Sequence, residues 1–410
     1  MTKRLPFIVL IAPNVSQQMG GEAMKALQIF TELKKVQPST VQITHGRNRE
    51  ELEGRLKLPD IHFVDDTWVS RAIWRTRVLR FLIDYWFFRR AVRLAERIAA
   101  EMGVCGDDVV VHQTEPNSPV LPRIVSRTHL NVFGPINGNI YYPAIFRRQE
   151  GLGPRVRRVL HFPLQRINRL LFNDLSRADL IFVAGGNRTT TSLQAAGCSE
   201  ARMVNVVDCG VPDALLNRPR VVQRGINLRF VHYGRLVFHK GTALIIASLA
   251  KTRHQVELDI VGAGPELDSC KRLVKDLGLD ARVRFVGWYT SHDDLIASFS
   301  TYRGMVLPSI EDANGIVVQE AMALGLPPVC LDWGGPQLLI DHGRTGFLVE
   351  PRSVEFITSQ IADHLDRLSQ DGELAEQMSR LARERAEEWR WSRVAEHWME
   401  LLAGLRRAYR

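Results

Sequence analysis

The chain has 410 residues, 45% of them hydrophobic and 24% charged, with a formal net charge of +9. At roughly 150 residues per domain this length suits two or three domains, and the ordinary composition excludes a disordered, coiled-coil or fibrous chain. Five scattered cysteines, none in a C-x-x-C pair, exclude a disulfide scaffold and a structural zinc site and suit a reducing cytoplasm.

The first apolar run, Leu5 to Ala12, is interrupted by Pro6 and leads into polar Asn14, Ser16, Gln17 and Gln18. It reads as a buried parallel strand rather than a signal peptide. Met19-Gly20-Gly21-Glu22 follows, placing two glycines at a strand-to-helix junction where backbone can approach a ligand closely. Further strands are predicted at 61–64, 109–112, 130–133, 180–183 and 202–207, alternating with longer helical patterns. The turn-rich stretch 210–220 reads as a linker. Beyond it, strands are predicted at 228–234, 257–261, 283–286, 304–307, 328–331 and 346–349. Trp391, Val394, Trp398, Leu402 and Leu405 recur at helical spacing in a terminal helix. No run reaches the ~18 apolar residues of a membrane-spanning helix.

Short apolar strands alternating with helices predict an α/β protein of two Rossmann-like, doubly wound domains. The boundaries fall at 1–210 and 211–388, with the helix 389–410 packed across the junction. The domains are expected to face each other across a deep cleft, with ligands beyond the carboxyl ends of the strands.

The positive charge is regional. Residues 66–100 carry a net +5 and residues 147–171 a net +6, so the remainder sums to about −2. Both stretches also hold large apolar residues, including Trp68, Trp74, Phe87 and Phe88 in the first and Leu160, Phe162 and Ile167 in the second. Such segments suit an anionic membrane surface. They equally suit surface helices whose apolar faces pack on the core. No nucleic-acid motif accompanies the arginines.

Three motifs carry chemistry. Gly234-Arg235-Leu236-Val237-Phe238-His239-Lys240-Gly241 follows a strand and places a planar cation and a point cation at one turn, a suitable clamp for a diphosphate. Gly262-Ala263-Gly264-Pro265 begins like a dinucleotide fingerprint, but Leu267 stands where its third glycine belongs. Glu311-Asp312-Ala313-Asn314-Gly315-Ile316-Val317 leads into a helix bearing Glu320 and closed by Gly325 and Pro327. A helix start of this kind offers free N–H groups to a phosphate.

This combination resembles the retaining GT-B glycosyltransferases of family 4. The resemblance rests on Gly234-Arg235…Lys240-Gly241, Gly262-Ala263-Gly264-Pro265, Asp312…Glu320, Ala321-Met322-Ala323-Leu324-Gly325-Leu326-Pro327, Gly334-Gly335 and Gly343-Arg344-Thr345-Gly346-Phe347-Leu348-Val349-Glu350-Pro351. It implies a nucleotide diphosphosugar donor held by Arg235 and Lys240, with Glu320 on the ribose and Asp312 facing the transferred sugar. Gly20, Gly21, Gly234, Gly262, Gly264, Asn314, Gly315, Ile316 and Val317 would line the donor site, with Gly287 and Trp288 near the base. Neither a cofactor nor a metal is implied, since two cations and a helix terminus meet the diphosphate charge.

The family's first acid is commonly glutamate, so Glu311 shares the candidacy with Asp312. On the acceptor or sugar side His112, Glu115 and Asn137 are candidates, Asn137 standing where many relatives carry a histidine. The expected function is retaining transfer of a hexose to a glycan or polyprenyl-linked acceptor in cell-surface polysaccharide assembly. The expected place is peripheral, at the inner face of the cell membrane. A nucleotide-sugar epimerase or phosphorylase, or an inactive nucleotide-sugar-binding subunit, are the alternatives.

Overall fold

The computed structural model of the protein describes residues 5–19, 21–68, 80–121, 123–138, 141–171 and 174–405. Gly20, Trp74 and the arginines at 71, 75 and 77 lie outside the described residues. The chain divides into two compact units, one of 1–139, 156–209 and 391–410, the other of 140–155 and 210–390.

The first unit is built on a parallel sheet of seven strands: β1 (Phe7–Ile11), β2 (Val41–His45), β3 (Ile61–Val64), β4 (Val109–Gln113), β5 (Leu130–Ile136), β6 (Leu180–Val183) and β7 (Met203–Asn205). Their order is β3-β2-β1-β4-β5-β6-β7. The two-residue period of a strand divides β1 between two cores. Ile8 and Leu10 meet Ile29, Phe30 and Leu33 of the helix Gly21–Val36, together with Trp391 and Trp398 of the terminal helix Trp391–Gly404. Phe7, Val9 and Ile11 face Phe87, Phe88, Ala91 and Val92 of the helix Arg80–Glu101. Each such side chain, fully removed from water, contributes about 1.5–3 kcal/mol before entropy is counted.

The second unit carries six parallel strands: β8 (Arg229–Tyr233), β9 (Glu257–Val261), β10 (Val283–Gly287), β11 (Gly304–Leu307), β12 (Pro328–Leu331) and β13 (Phe347–Val349). Their order, β10-β9-β8-β11-β12-β13, is that of a dinucleotide-binding Rossmann sheet. Its core joins Phe230, Ile260, Val306 and Val329 to Ile245, Ile246, Ile357 and Ile361 of the flanking helices.

The structure corrects three sequence expectations. Strand β2 was not foreseen, because Gln42 and Thr44 interrupt its apolar pattern; both are buried, and Gln42 Nε2 donates to Ile43 O at 2.9 Å. Residues 140–155 group with the second unit instead of the first. The supposed linker is packed, with a helical turn at Asp213–Leu216, buried Leu215 and Leu216, and Val211 N donating to Trp389 O. The terminal helix belongs to the first unit and packs against Gly21–Val36. Among the described residues no helix is long and apolar enough to cross a membrane.

Candidate active site

In the second sheet the strand order reverses between β8 and β11, the switch point beside which doubly wound sheets bind ligands. The turns after these two strands abut there. Gly241 has φ +71°, and a Cβ on it would stand 2.4 Å from Pro308 O, so only glycine fits that approach. The backbones are joined by Ile310 N donating to His239 O at 2.9 Å. Across the same seam Lys240 Nζ lies 2.7 Å from Asp312 Oδ2.

Asp312 does two things at once. Its Oδ2 meets Lys240, and its Oδ1 accepts from Gly315 N at 3.0 Å. Gly315, left-handed with φ 72° and ψ 42°, opens the helix Ile316–Ala323. The N–H groups of Val318 and Gln319 both reach Gly315 O. Those of Ile316 and Val317 stand at the helix start, where no intrahelical acceptor exists. Beside them the buried Nδ2 of Asn314 has no partner among the described residues. A donor left unpaired at a helix start with two nearby cations fits a phosphate or sugar oxygen.

The glycines have a packing reason of their own. A Cβ on Gly262 would stand 1.9 Å from Gly234 O, one on Gly264 2.3 Å from Leu236 O, and one on Gly334 2.5 Å from Asp312 O. Turn lies directly on turn, the cation turn against the turn after β9 and the acid turn against the turn after β12.

Arg235 is exposed and makes no ion pair among the described residues. His239, half-buried between the two cations, has its pKa lowered by burial first and then by Lys240 and Arg235. The turn is therefore a place of positive potential. Glu320, on the helix Ile316–Ala323, is pushed up to about 7 by burial. It lies close enough to Tyr233, at the end of β8, for its charge to raise that phenol after burial has done so. Tyr233 meets Trp288 edge-on at 5.8 Å, and Trp288 is 50% exposed just beyond Gly287. Trp288, Tyr233 with Glu320, and the Lys240–Asp312 pair thus follow one another along the ends of β10, β8 and β11.

Sequence reasoning missed an aromatic group on the acid side. Glu311 adds, after burial, to the raised pKa of Tyr142, so the two are neighbours. Tyr142 meets Phe238 at a tilt, with ring centroids 6.0 Å apart, and Trp333 Nε1 donates to Tyr141 O at 2.9 Å. Tyr141 and Tyr142 come from a distant part of the chain, and no local pattern announces them.

In the first unit the switch point lies between β1 and β4. Glu115, just past β4, accepts from Asn14 N at 3.2 Å and Asn14 Nδ2 at 3.3 Å. Burial pushes it up to about 7, and its Oε1 has no hydrogen-bond partner among the described residues. Asn137, at the end of β5, receives Arg188 Nη2 at 3.0 Å and offers Nδ2 to Asp208 at 3.5 Å. Asp208 pairs at 2.7 Å with Lys25, a buried cation that the sequence reading did not single out. Gly21 starts its helix with open space around the Cβ position.

His112 is elsewhere, and its candidacy is withdrawn. Its ring is buried against Phe182 and Trp398, donates from Nε2 to Gly134 O at 2.6 Å, and is held neutral by burial, which lowers its pKa to about 4. It is a core residue. Among the described residues no group of three or more histidines, cysteines or acids could hold a metal ion.

Two doubly wound units with these switch points define an α/β protein of the GT-B architecture. The Anabaena protein HepE, solved with UDP and glucose, shares the fold with a TM-score of 0.63 and 18% identity over 98% of this chain and 100% of that one. Residues 219–385 match the family model of glycosyl transferases group 1. The chain is 34% identical to an alpha-D-kanosaminyltransferase of Streptomyces kanamyceticus over 36% of this chain and 38% of the relative. It is 31% identical to a GDP-mannose-dependent alpha-(1-6)-phosphatidylinositol monomannoside mannosyltransferase of Mycobacterium tuberculosis over 42% of this chain and 46% of the relative. The chain thus spans less than half the length of these two relatives. The family match and the two relatives support the glycosyltransferase class, and the solved structure shows the fold.

Proposed function

We propose that the protein is a retaining glycosyltransferase that moves a hexose from a nucleotide diphosphosugar to a glycan or lipid-linked acceptor. The observation that carries this reading is the convergence of Lys240, Asp312, the Gly315 helix start and Glu320 at one switch point, with Arg235 on the adjoining turn. Arg235 and Lys240 hold the diphosphate and balance the charge that grows on it as the sugar leaves. Glu320 accepts from the ribose hydroxyls, and Trp288 lies against the base. The acid turn, Glu311-Asp312, binds the sugar hydroxyls and supports positive charge at the anomeric carbon.

In the step itself the bond from the anomeric carbon to the diphosphate oxygen breaks. The acceptor oxygen bonds to the same face, which retains configuration, and the acceptor's proton passes to the departing phosphate. With the cations and helix start meeting the diphosphate charge, the step requires neither metal nor cofactor. Glu115 and Asn137 serve the acceptor in the first unit. The mycobacterial relative's GDP-mannose and lipid acceptor, by name, support a nucleotide-sugar donor and a lipid-borne acceptor here. The regional arginine charge supports a peripheral place at the inner face of the cell membrane, in cell-surface polysaccharide assembly.

A panel of UDP-, GDP-, ADP- and TDP-sugars with acceptor extracts tests this reading. Release of nucleoside diphosphate coupled to a glycosylated product supports it. Inorganic phosphate consumption would identify a phosphorylase, an isomerised nucleotide sugar an epimerase, and binding without turnover an inactive subunit.

A further inference from the structure

The two basic stretches behave differently once folded. In the helix Arg80–Glu101 the aromatic face packs inward: Phe87 and Phe88 are buried, and Arg89, Arg90, Arg93 and Arg97 are solvated. That is an ordinary surface helix. The helix Leu152–Leu171 is the reverse. It is seated by a polar stripe, with His161 and Gln165 buried and Gln165 Nε2 donating to Pro119 O at 2.8 Å and Ser192 Oγ at 2.7 Å.

At about 100° per residue, Leu152, Val156, Val159, Leu160, Ile167 and Leu170 fall on one arc opposite that stripe. These six side chains are between 44% and 82% exposed. Of the 22 large exposed hydrophobic residues among those described, eight lie on this one helix, so the apolar face is not random scatter. Arg155 and Arg166 border the arc on one side and Arg157 on the other, and the helix contains no acidic residue.

We propose that this outward face is a docking surface for an anionic lipid bilayer, the helix lying in the interface with its apolar arc among the acyl chains. Arginines on both rims reach the phosphate groups while their stems lie along the apolar boundary. The charge pattern decides between occupants. A second copy meeting the same face would set arginine rim against arginine rim with no acid on the helix to relieve them. Pro163 midway and five arginines along the helix suit a helix that lies on a bilayer, not one that crosses it. The inference deepens the lipid-borne acceptor reading above and rests on it for its purpose, but not for its test.

The test is flotation of the purified protein with vesicles of phosphatidylcholine alone or with phosphatidylglycerol, containing no donor or acceptor. The expected result is binding to anionic vesicles at low salt that weakens as salt rises. Val159→Ser/Ile167→Ser/Leu170→Ser should weaken it at least tenfold, and Arg155→Gln/Arg157→Gln/Arg166→Gln should remove the preference for anionic lipid. All six positions are off the proposed donor site, so nucleotide release with a water-soluble acceptor should be unchanged in both variants. A dye on Leu170→Cys, in a Cys105→Ser background, should shift to the blue on adding vesicles. Equal binding by wild type and the apolar variant, or no binding at low salt, overturns the proposal. So does a wild-type dimer in sedimentation velocity that the apolar variant dissolves. Vesicle binding with no turnover on any donor would strike the transferase reading alone.

Discussion

Lys240 Nζ and Asp312 Oδ2 lie 2.7 Å apart, joining the turn after β8 to the turn after β11, and each side chain is less than a fifth exposed. The cation of the proposed diphosphate clamp and the proposed sugar-facing acid are therefore partners before any donor arrives. On the proposed reading, a diphosphate bound here competes with Asp312 for Lys240.

Replacing either cation should weaken nucleotide binding. Arg235→Ala or Lys240→Ala removes charge-assisted contacts worth about 1.5–3 kcal/mol. By the relation between affinity and free energy that is about tenfold or more in nucleoside diphosphate Kd. Titration calorimetry measures it. Unchanged Kd in both variants would remove this turn from the donor site.

Asp312→Asn should separate binding from turnover. The amide still accepts from Gly315 N but no longer pairs with Lys240 as a charge. Nucleoside diphosphate should bind as well as before or better, while kcat falls by about two orders of magnitude if the carboxylate supports the developing charge. Glu311→Gln should be mild. The opposite ranking would assign the sugar to Glu311 and leave Asp312 as a cap.

How much of this was legible depended on how local each signal is. Continuous apolar runs such as Phe7–Ile11 announce buried parallel strands, and the eight-residue offset from Asp312 to Glu320 is written in the chain. β2 was hidden because Gln42 and Thr44 satisfy their polar groups inside the fold, a compensation no periodicity reveals. Tyr142 reaches Glu311 only through tertiary structure. The amphipathic character of 152–171 could be read from its spacing, but which side it turns to the protein could not. Buried His161 and Gln165 decide that, through partners far along the chain.

Glu320 should make donor binding depend on pH. Burial raises it from 4.5 to about 7, and on the proposed reading the ionised form accepts from the ribose hydroxyls more strongly than the acid, which turns one oxygen into a donor. It is about a tenth ionised at pH 6 and about nine-tenths at pH 8, so donor KM should fall between them, by at most about tenfold. Glu320→Gln should flatten that profile. Stability runs the other way. The folded state keeps this proton to higher pH than the unfolded chain, so the group favours folding at low pH. That advantage is lost as pH rises from about 4.5 through about 7. Melting temperatures across this window should decline more in wild type than in Glu320→Gln.

The step as drawn should proceed in chelator. Arg235, Lys240 and the helix start at Gly315 supply the positive field, so nucleotide release should change less than about twofold in excess EDTA. Loss of activity that magnesium or manganese restores would show that a metal shares the diphosphate.

The buried pair in the first unit should govern its stability. Lys25 Nζ lies 2.7 Å from Asp208 Oδ1 with side chains 4% and 8% exposed, and it also donates to Asn117 Oδ1 at 2.9 Å. Lys25→Ala strips Asp208 of its 2.7 Å ion pair and leaves it with Asn137 Nδ2 at 3.5 Å and the nearby charge of Arg188, which costs about 3–5 kcal/mol. For a unit of this size that lowers Tm by about 6–20 °C. Replacing both partners with apolar residues of similar volume, as in Lys25→Met/Asp208→Leu, removes the stranded charge and should recover much of the loss. Differential scanning calorimetry of the two single variants and the double variant measures the coupling. Additive single effects would mean that Lys25 and Asp208 act independently, and that the polar group from Asn117 to Arg188 is held by its amides.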